Sequence, residues 1–279
     1  MARTIAIANQ KGGVGKTTTA VNLGASLAAA EQRVLAVDMD PQGNLSSGLG
    51  YPKTEVGAHV YHVLGGEMSA EEVMLDTELE YLKLLPTTTD LIGAELELVD
   101  ALDRHQRLAE ALAPLARRFD YILIDCPPSL GLLTLNSLVA ADTVLVPLQC
   151  EYYALEGLGH LLSTIERVRG SVNPNISIEG ILLCMYDKRT NLTRQVAAEV
   201  RQHFGSQVFE SIVPRNVRLS EAPSFGKPVL LYDIDSAGAR AYLQLARELI
   251  DKHARSARKP RSTAGRKTRT RRRRSASQG

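Results

Sequence analysis

The sequence predicts an α/β protein, a doubly wound and mostly parallel sheet flanked by helices. Three observations predict it. Apolar, β-type runs alternate with helical patterns for about 250 residues. Several of those runs, such as "YILI" at Tyr121–Ile124, are unbroken rather than alternating, as strands buried on both faces require. A glycine-rich loop joins the first run to the first helical pattern.

Taken in order, the expected strands are Thr4–Ala8, Val34–Val37, Tyr81–Leu85, Tyr121–Ile124, Val144–Leu148, Ile178–Cys184 and Val208–Val213. The expected helices are Thr18–Ala30, Arg104–Arg117, Leu155–Arg169, Leu192–Phe204 and Ala237–His253. No internal repeat interrupts them. Bulky apolar residues then vanish, while Pro260, Gly265 and many Ser, Thr and Arg follow. The expected division is a folded domain over residues 1–251 and a basic, disordered tail over residues 252–279.

Charge divides the same way. From Lys252 onward stand twelve of the 33 Lys and Arg residues and no acid, which leaves 21 basic against 31 acidic residues before it, a net of −10. An acidic body thus carries a polycation. No run approaches the length of a membrane helix, and "MARTIAIANQ" lacks the apolar core of a secretory signal. Cys126, Cys150 and Cys184 form no C-x-x-C pair, which argues against a disulfide framework and for small buried side chains in a reducing cytoplasm.

The chemistry concentrates in "NQKGGVGKTTT", Asn9 to Thr19. Gly12, Gly13 and Gly15 let backbone N–H groups of the loop turn toward phosphate oxygens, with Val14 and Thr18 completing the cradle. Lys16 is placed to hold the outer phosphates, and the Thr17 hydroxyl to take part in a Mg²⁺ site. This is a P-loop, yet Gln10 stands where the common pattern has glycine, and Lys11 adds a second cation. A carboxylate on a neighbouring strand completes a nucleotide site. "YILIDCPPS" supplies Asp125, which would meet Mg²⁺ through water. "VLAVDMDPQGN" supplies Asp38 and Asp40. They share a direction if the strand continues, so only one faces the phosphates directly. Asp40, next to Pro41, belongs on the loop, where it could position an attacking water and approach the metal.

Here the chain resembles a known family. "KGGVGKTT" is similar to the deviant Walker A loop of the ParA/MinD ATPases, and "DMDPQGN", "IDCPPSLGLLTLNSL", "QCEYYALEGL" and "VPRNVRLSEAPSFGKP" resemble its chromosomal ParA (Soj) branch from about residue 3 to 250. The resemblance implies an ATPase using ATP and Mg²⁺, a homodimer formed on ATP, and Lys11 reaching the partner subunit's nucleotide, comparable to an arginine finger. It makes Lys11, Lys16 and Asp40 the catalytic set. It places Pro214 and Asn216 at the adenine, although "PRN" read alone is only a turn. It implies nonspecific binding of double-stranded DNA through Arg189 and Arg218, with Lys188, Arg194, Arg215 and Lys227 as neighbours, and a ParB-type protein as activator.

A MinD-like or cargo-positioning ATPase on a membrane or protein scaffold is the alternative. Its membrane form needs an apolar C-terminal helix face, and after Ile250 there is no Leu, Ile, Val, Phe, Met, Tyr or Trp. No membrane partner is therefore expected, and the expected location is the cytoplasm, associated with the nucleoid. An iron-protein function would need cysteines shared between subunits, which these positions do not suggest.

Overall fold

A computed structural model describes residues 1–258. Eight strands form one sheet: β1 (Arg3–Ile7), β2 (Val34–Asp38), β3 (Leu75–Asp76), β4 (Leu82–Leu85), β5 (Tyr121–Asp125), β6 (Thr143–Gln149), β7 (Ser177–Tyr186) and β8 (Val208–Pro214). Their order is β3-β4-β2-β5-β1-β6-β7-β8, and every pairing is parallel except the short antiparallel β3–β4 contact. The doubly wound reading holds, and the antiparallel edge strand is new. At two residues, β3 is too short to leave a period in the sequence.

Side chains along each strand alternate between two cores. Leu35, Val37, Ile122 and Ile124 belong to one. Val34, Ala36, Tyr121 and Leu123 belong to the other, beneath helices Lys16–Ala29 and Ala237–Arg258. Both faces exclude water, so no polar residue is wanted at alternate positions, and the unbroken apolar runs follow. The two helices are tied at Thr19 and Tyr242, whose buried hydroxyls lie 3.2 Å apart.

Two expected elements change shape. The Arg104–Arg117 pattern forms an α-helix only over Arg107–Leu112 and continues as a 3₁₀ turn over Ala113–Arg117. Pro114 removes a backbone donor at that junction. The buried Asn136 fixes the start by accepting the Leu108 amide at 3.2 Å and donating to the Arg104 carbonyl at 2.8 Å.

The last helix runs Ala237–Arg258, past the boundary that composition set after Asp251. Lys252 and His253, expected in the tail, instead close on the buried Glu179 of β7, at 2.8 and 3.2 Å. Arg3 approaches the same carboxylate at 3.6 Å, and the Thr143 hydroxyl donates to it at 2.8 Å. Local composition cannot report a partner 73 residues away. The rest of the expected tail, residues 259–279, lies outside the described residues.

Burial alone would push the Glu179 carboxyl up, but hydrogen bonds and charge from His253 and Lys252 outweigh it and hold it well below the usual carboxylate range. A depressed folded value contributes stability that is present above the unfolded value near 4.3 and lost as pH falls toward the folded one. Glu179→Gln is expected to destabilise the fold by about 3 kcal/mol at neutral pH, the scale for breaking a buried ion pair. Urea unfolding at pH 7 and pH 4 should show the loss shrinking at the lower pH.

A candidate nucleotide site at the carboxyl edge of the sheet

The parallel strands deliver their following residues to one edge. The loop Ala8–Gly15 follows β1, Asp38 ends β2, Asp125 ends β5, Glu151 follows β6, Asp187 follows β7 and Asn216 follows β8. Strand order reverses about β1, and such a switch point leaves a crevice for ligands.

In the loop, Gly13 has φ +72° and Gly15 φ +96°, left-handed values that favour glycine. A Cβ at Gly12 or Gly13 would meet no atom within 4 Å, so that side of the loop stands clear. Helix Lys16–Ala29 has no side-chain N-cap and no acid in its first turn. Its leading amides and its positive end therefore remain for an anion.

The two lysines of this loop go to different places. Lys16 is 6% exposed and its Nζ donates to the Lys11 carbonyl at 3.1 Å, folding back across the loop. Burial lowers its pKa, with Asp125 the first of the charges pulling it back up. The Lys11 side chain is 43% exposed and pairs with Glu151 at 2.6 Å. Asn9 steadies the turn between them, accepting the Lys11 amide at 3.0 Å and donating to the Pro147 carbonyl at 2.7 Å.

Beneath the loop, register sets Asp38 beside Asp125. Both are buried. Asp38 accepts the Ser46 amide at 2.8 Å and the Ser46 hydroxyl at 2.7 Å, and burial still pushes its carboxyl up to about 7. Neither oxygen of Asp125 accepts a hydrogen bond of ordinary geometry. Burial and then the Asp38 charge push its carboxyl well above the usual range, while Thr17 and Lys16 pull it back. A buried carboxylate with no donor is costly unless a cation or ordered water completes it. Mg²⁺ fits this requirement, because it is commonly held by one or two carboxylates with waters and substrate phosphates. The Thr17 hydroxyl faces the same carboxylate.

Asp40 lies just beyond β2, and its Oδ1 accepts the Gln42 amide at 3.0 Å. It therefore forms the turn that its sequence suggested while standing at the edge of the site.

Pro214 and Asn216 line a cleft with Gly15, Thr18 and Tyr242. Asn216 Oδ1 is buried there without a hydrogen-bond partner. An amide oxygen in that position is suited to accept from an exocyclic amine.

Arg189 and Arg218 sit beyond the ends of the neighbouring strands β7 and β8 and are already engaged. Arg189 meets Asp187 through Nε at 2.9 Å and Nη2 at 2.7 Å. Arg218 meets Glu221 at 2.8 Å and Asp233 at 3.1 Å. These exposed pairs are weak enough to exchange for phosphate. Lys227 pairs with Glu78 and Arg194 with Asn191, while Lys188 and Arg215 stand near the Asp187 turn.

Sequence reasoning left Asp38 undecided and missed Glu151. Glu151 lies 140 residues from Lys11 and carried no motif of its own within "QCEYYALEGL". The three cysteines are buried. Burial pushes the thiols of Cys126 and Cys184 up to about 12 and that of Cys150 to about 11, values of inert core side chains.

Asn216→Ala is expected to weaken ATP binding about 3- to 10-fold, the worth of one buried hydrogen bond, and to leave inorganic triphosphate binding unchanged. Calorimetric titration with the two ligands checks this.

Known proteins resemble this chain over most of its length. A protein-family model described as an AAA domain matches residues 2–178. The chromosome partitioning protein ParA of Myxococcus xanthus is 60% identical over 248 residues, 89% of this chain and 88% of that protein. The sporulation initiation inhibitor protein Soj of Bacillus subtilis is 54% identical over 249 residues, 89% of this chain and 98% of that protein. Among solved structures, a cobyrinic acid a,c-diamide synthase from Mycobacterium smegmatis with bound ADP and magnesium is 41% identical. It superposes with a TM-score of 0.80 over 92% of this chain and 97% of that one. With a glycine loop carrying two lysines, acids at the ends of β2 and β5, and relatives matched over nearly their whole length, this chain belongs to the ParA/Soj family of chromosome-partitioning ATPases.

Proposed function

We propose that this chain is a Mg²⁺-dependent ATPase that partitions DNA, working as a dimer with one ATP held between two subunits at each site. The observation that carries this reading is the parting of the two loop lysines. Lys16 is buried and folded back onto its own loop, whereas Lys11 stands at the surface, paired with Glu151. A cation on the rim of a phosphate site is where a second subunit's nucleotide would find it.

The roles then divide by position. Lys16 and the loop amides hold and orient the phosphates, which is most of what phosphoryl transfer asks of a protein. Thr17 and Asp125 would hold the metal. A bound Mg²⁺ would supply neutralisation of phosphate charge. Asp40 orients the attacking water from the β2 loop. Lys11, leaving Glu151, stabilises charge on the nucleotide of the partner subunit. Pro214 and Asn216 hold the adenine.

Arg189 and Arg218 lie beyond adjacent strand ends, so two subunits meeting at this edge would gather four arginines for nonspecific duplex DNA. Pairing with phosphates, not bases, is the expected mode. A ParB-type centromere-binding protein would speed hydrolysis and so release the DNA. The setting is the cytoplasm, on the nucleoid. No helix among the described residues is long and apolar enough to cross a membrane.

Lys11→Ala should abolish ATP-driven dimerisation while each monomer still binds nucleotide. A dimer of normal strength for that variant in sedimentation velocity with ATP and Mg²⁺ would refute the trans role. Arg189→Ala and Arg218→Ala should each weaken ATP-dependent binding to a nonspecific duplex. Each should also lower the slope of log affinity against log salt, by about one for every phosphate the subunit ceases to neutralise. Filter binding over a salt series with ATP and with ADP measures both.

A further inference from the structure

Apart from the nucleotide site lies a groove of about 770 Å³ between helices Leu132–Ala140 and Ala154–Arg169, closed at one side by the turn ahead of helix Arg107–Leu112. Its floor is apolar, with Leu130, Leu132 and Leu135 among its lining. Leu130 is 47% exposed, and Leu102, two residues before the lining residue Arg104, is 98% exposed. An apolar floor with a leucine half in water calls for an explanation.

The polar lining has one sign. Arg104, His105 and Arg167 contribute the ionisable groups, and none of the three makes an ion pair among the described residues. Two nearby carboxylates are taken by other arginines, and Glu95 packs against Gly131 at the edge of the groove. Asp103 pairs with Arg107, Glu166 pairs with Arg169, and Glu95 turns to the Leu133 amide at 3.4 Å. In a body with a net charge of −10, three unpaired basic groups around one apolar groove form a local reversal of sign. The polybasic residues 259–279 share that sign, so charge disfavours them as the occupant.

We infer that this groove docks an acidic amphipathic segment of a partner protein, its apolar side chains on the leucine floor and its carboxylates on Arg104, His105 and Arg167. Helix-in-groove recognition works by this division, apolar anchors for affinity and rim charges for selection. The groove begins at Leu130, five residues beyond Asp125, so an occupant would also touch the loop that leaves the nucleotide site. The inference does not depend on the proposed partitioning role.

The test uses the full chain and a fluorescein-labelled peptide with leucine on one helical face and glutamate on the others, beside the same peptide with lysine for glutamate. The Leu/Glu peptide is expected to bind in anisotropy titrations. Its affinity should fall at least about tenfold for the Arg104→Glu, Arg167→Glu double variant and separately for Leu130→Glu. The exposed positions of all three let the fold survive, which unchanged ATP hydrolysis and circular dichroism would check. Absence of binding, equal binding of the lysine peptide, or binding unaffected by the double variant overturns the inference. So does a peptide-free protein whose self-association in sedimentation velocity is lost in the double variant, because the occupant would then be a second copy of this chain.

Discussion

Two carboxylates buried side by side at the ends of β2 and β5 are the constraint on which the site depends. Removing both from water is expensive, and like charges at this range oppose joint ionisation. The chain answers unequally. Asp38 takes two hydrogen bonds from Ser46, and Ser46 in turn accepts the Thr87 amide at 3.1 Å, so this acid is satisfied from within the protein. Asp125 has no donor of ordinary geometry, only the pull of the nearby Thr17 hydroxyl. What remains to satisfy it comes from Lys16 and from whatever cation the site holds. One acid is satisfied within the fold and the other is not.

The same economy runs through the charges around the edge. Lys11, Arg189 and Arg218 are each the kind of cation that a phosphate would attract, and each is met by a carboxylate of its own chain. At the surface such pairs are worth little, so they position a side chain without locking it. Loss of any one costs the fold little, whereas exchange of the carboxylate for a phosphate keeps the cation paired. Glu179 sits at the opposite limit. Buried among Arg3, Lys252 and His253, it draws the final helix onto the sheet.

Placement of every one of these residues follows from parallel strands with covered faces. Helices on both sides leave the strand ends as the region where polar groups can converge, and the reversal of order about β1 opens the crevice there. The apolar groove between helices Leu132–Ala140 and Ala154–Arg169 belongs to the covering layer instead. It joins the site only through the loop that follows Asp125.

By itself the sequence determined the sheet's class, most strand bounds and the long helices to within a few residues, and the phosphate loop. Those features rest on local causes: apolar runs, helical periods, and glycines next to lysine in one short loop. Tertiary structure alone decided the rest. It showed that Lys11 meets Glu151, that Asp38 lies against Asp125, that Asn216 Oδ1 is buried in the cleft lined by Gly15, and that Lys252 and His253 of the last helix close on Glu179. Each joins residues far apart in the chain. Such meetings arise from strand order and register, and neither leaves a local mark, because a parallel pairing looks the same in sequence whichever neighbour it finds.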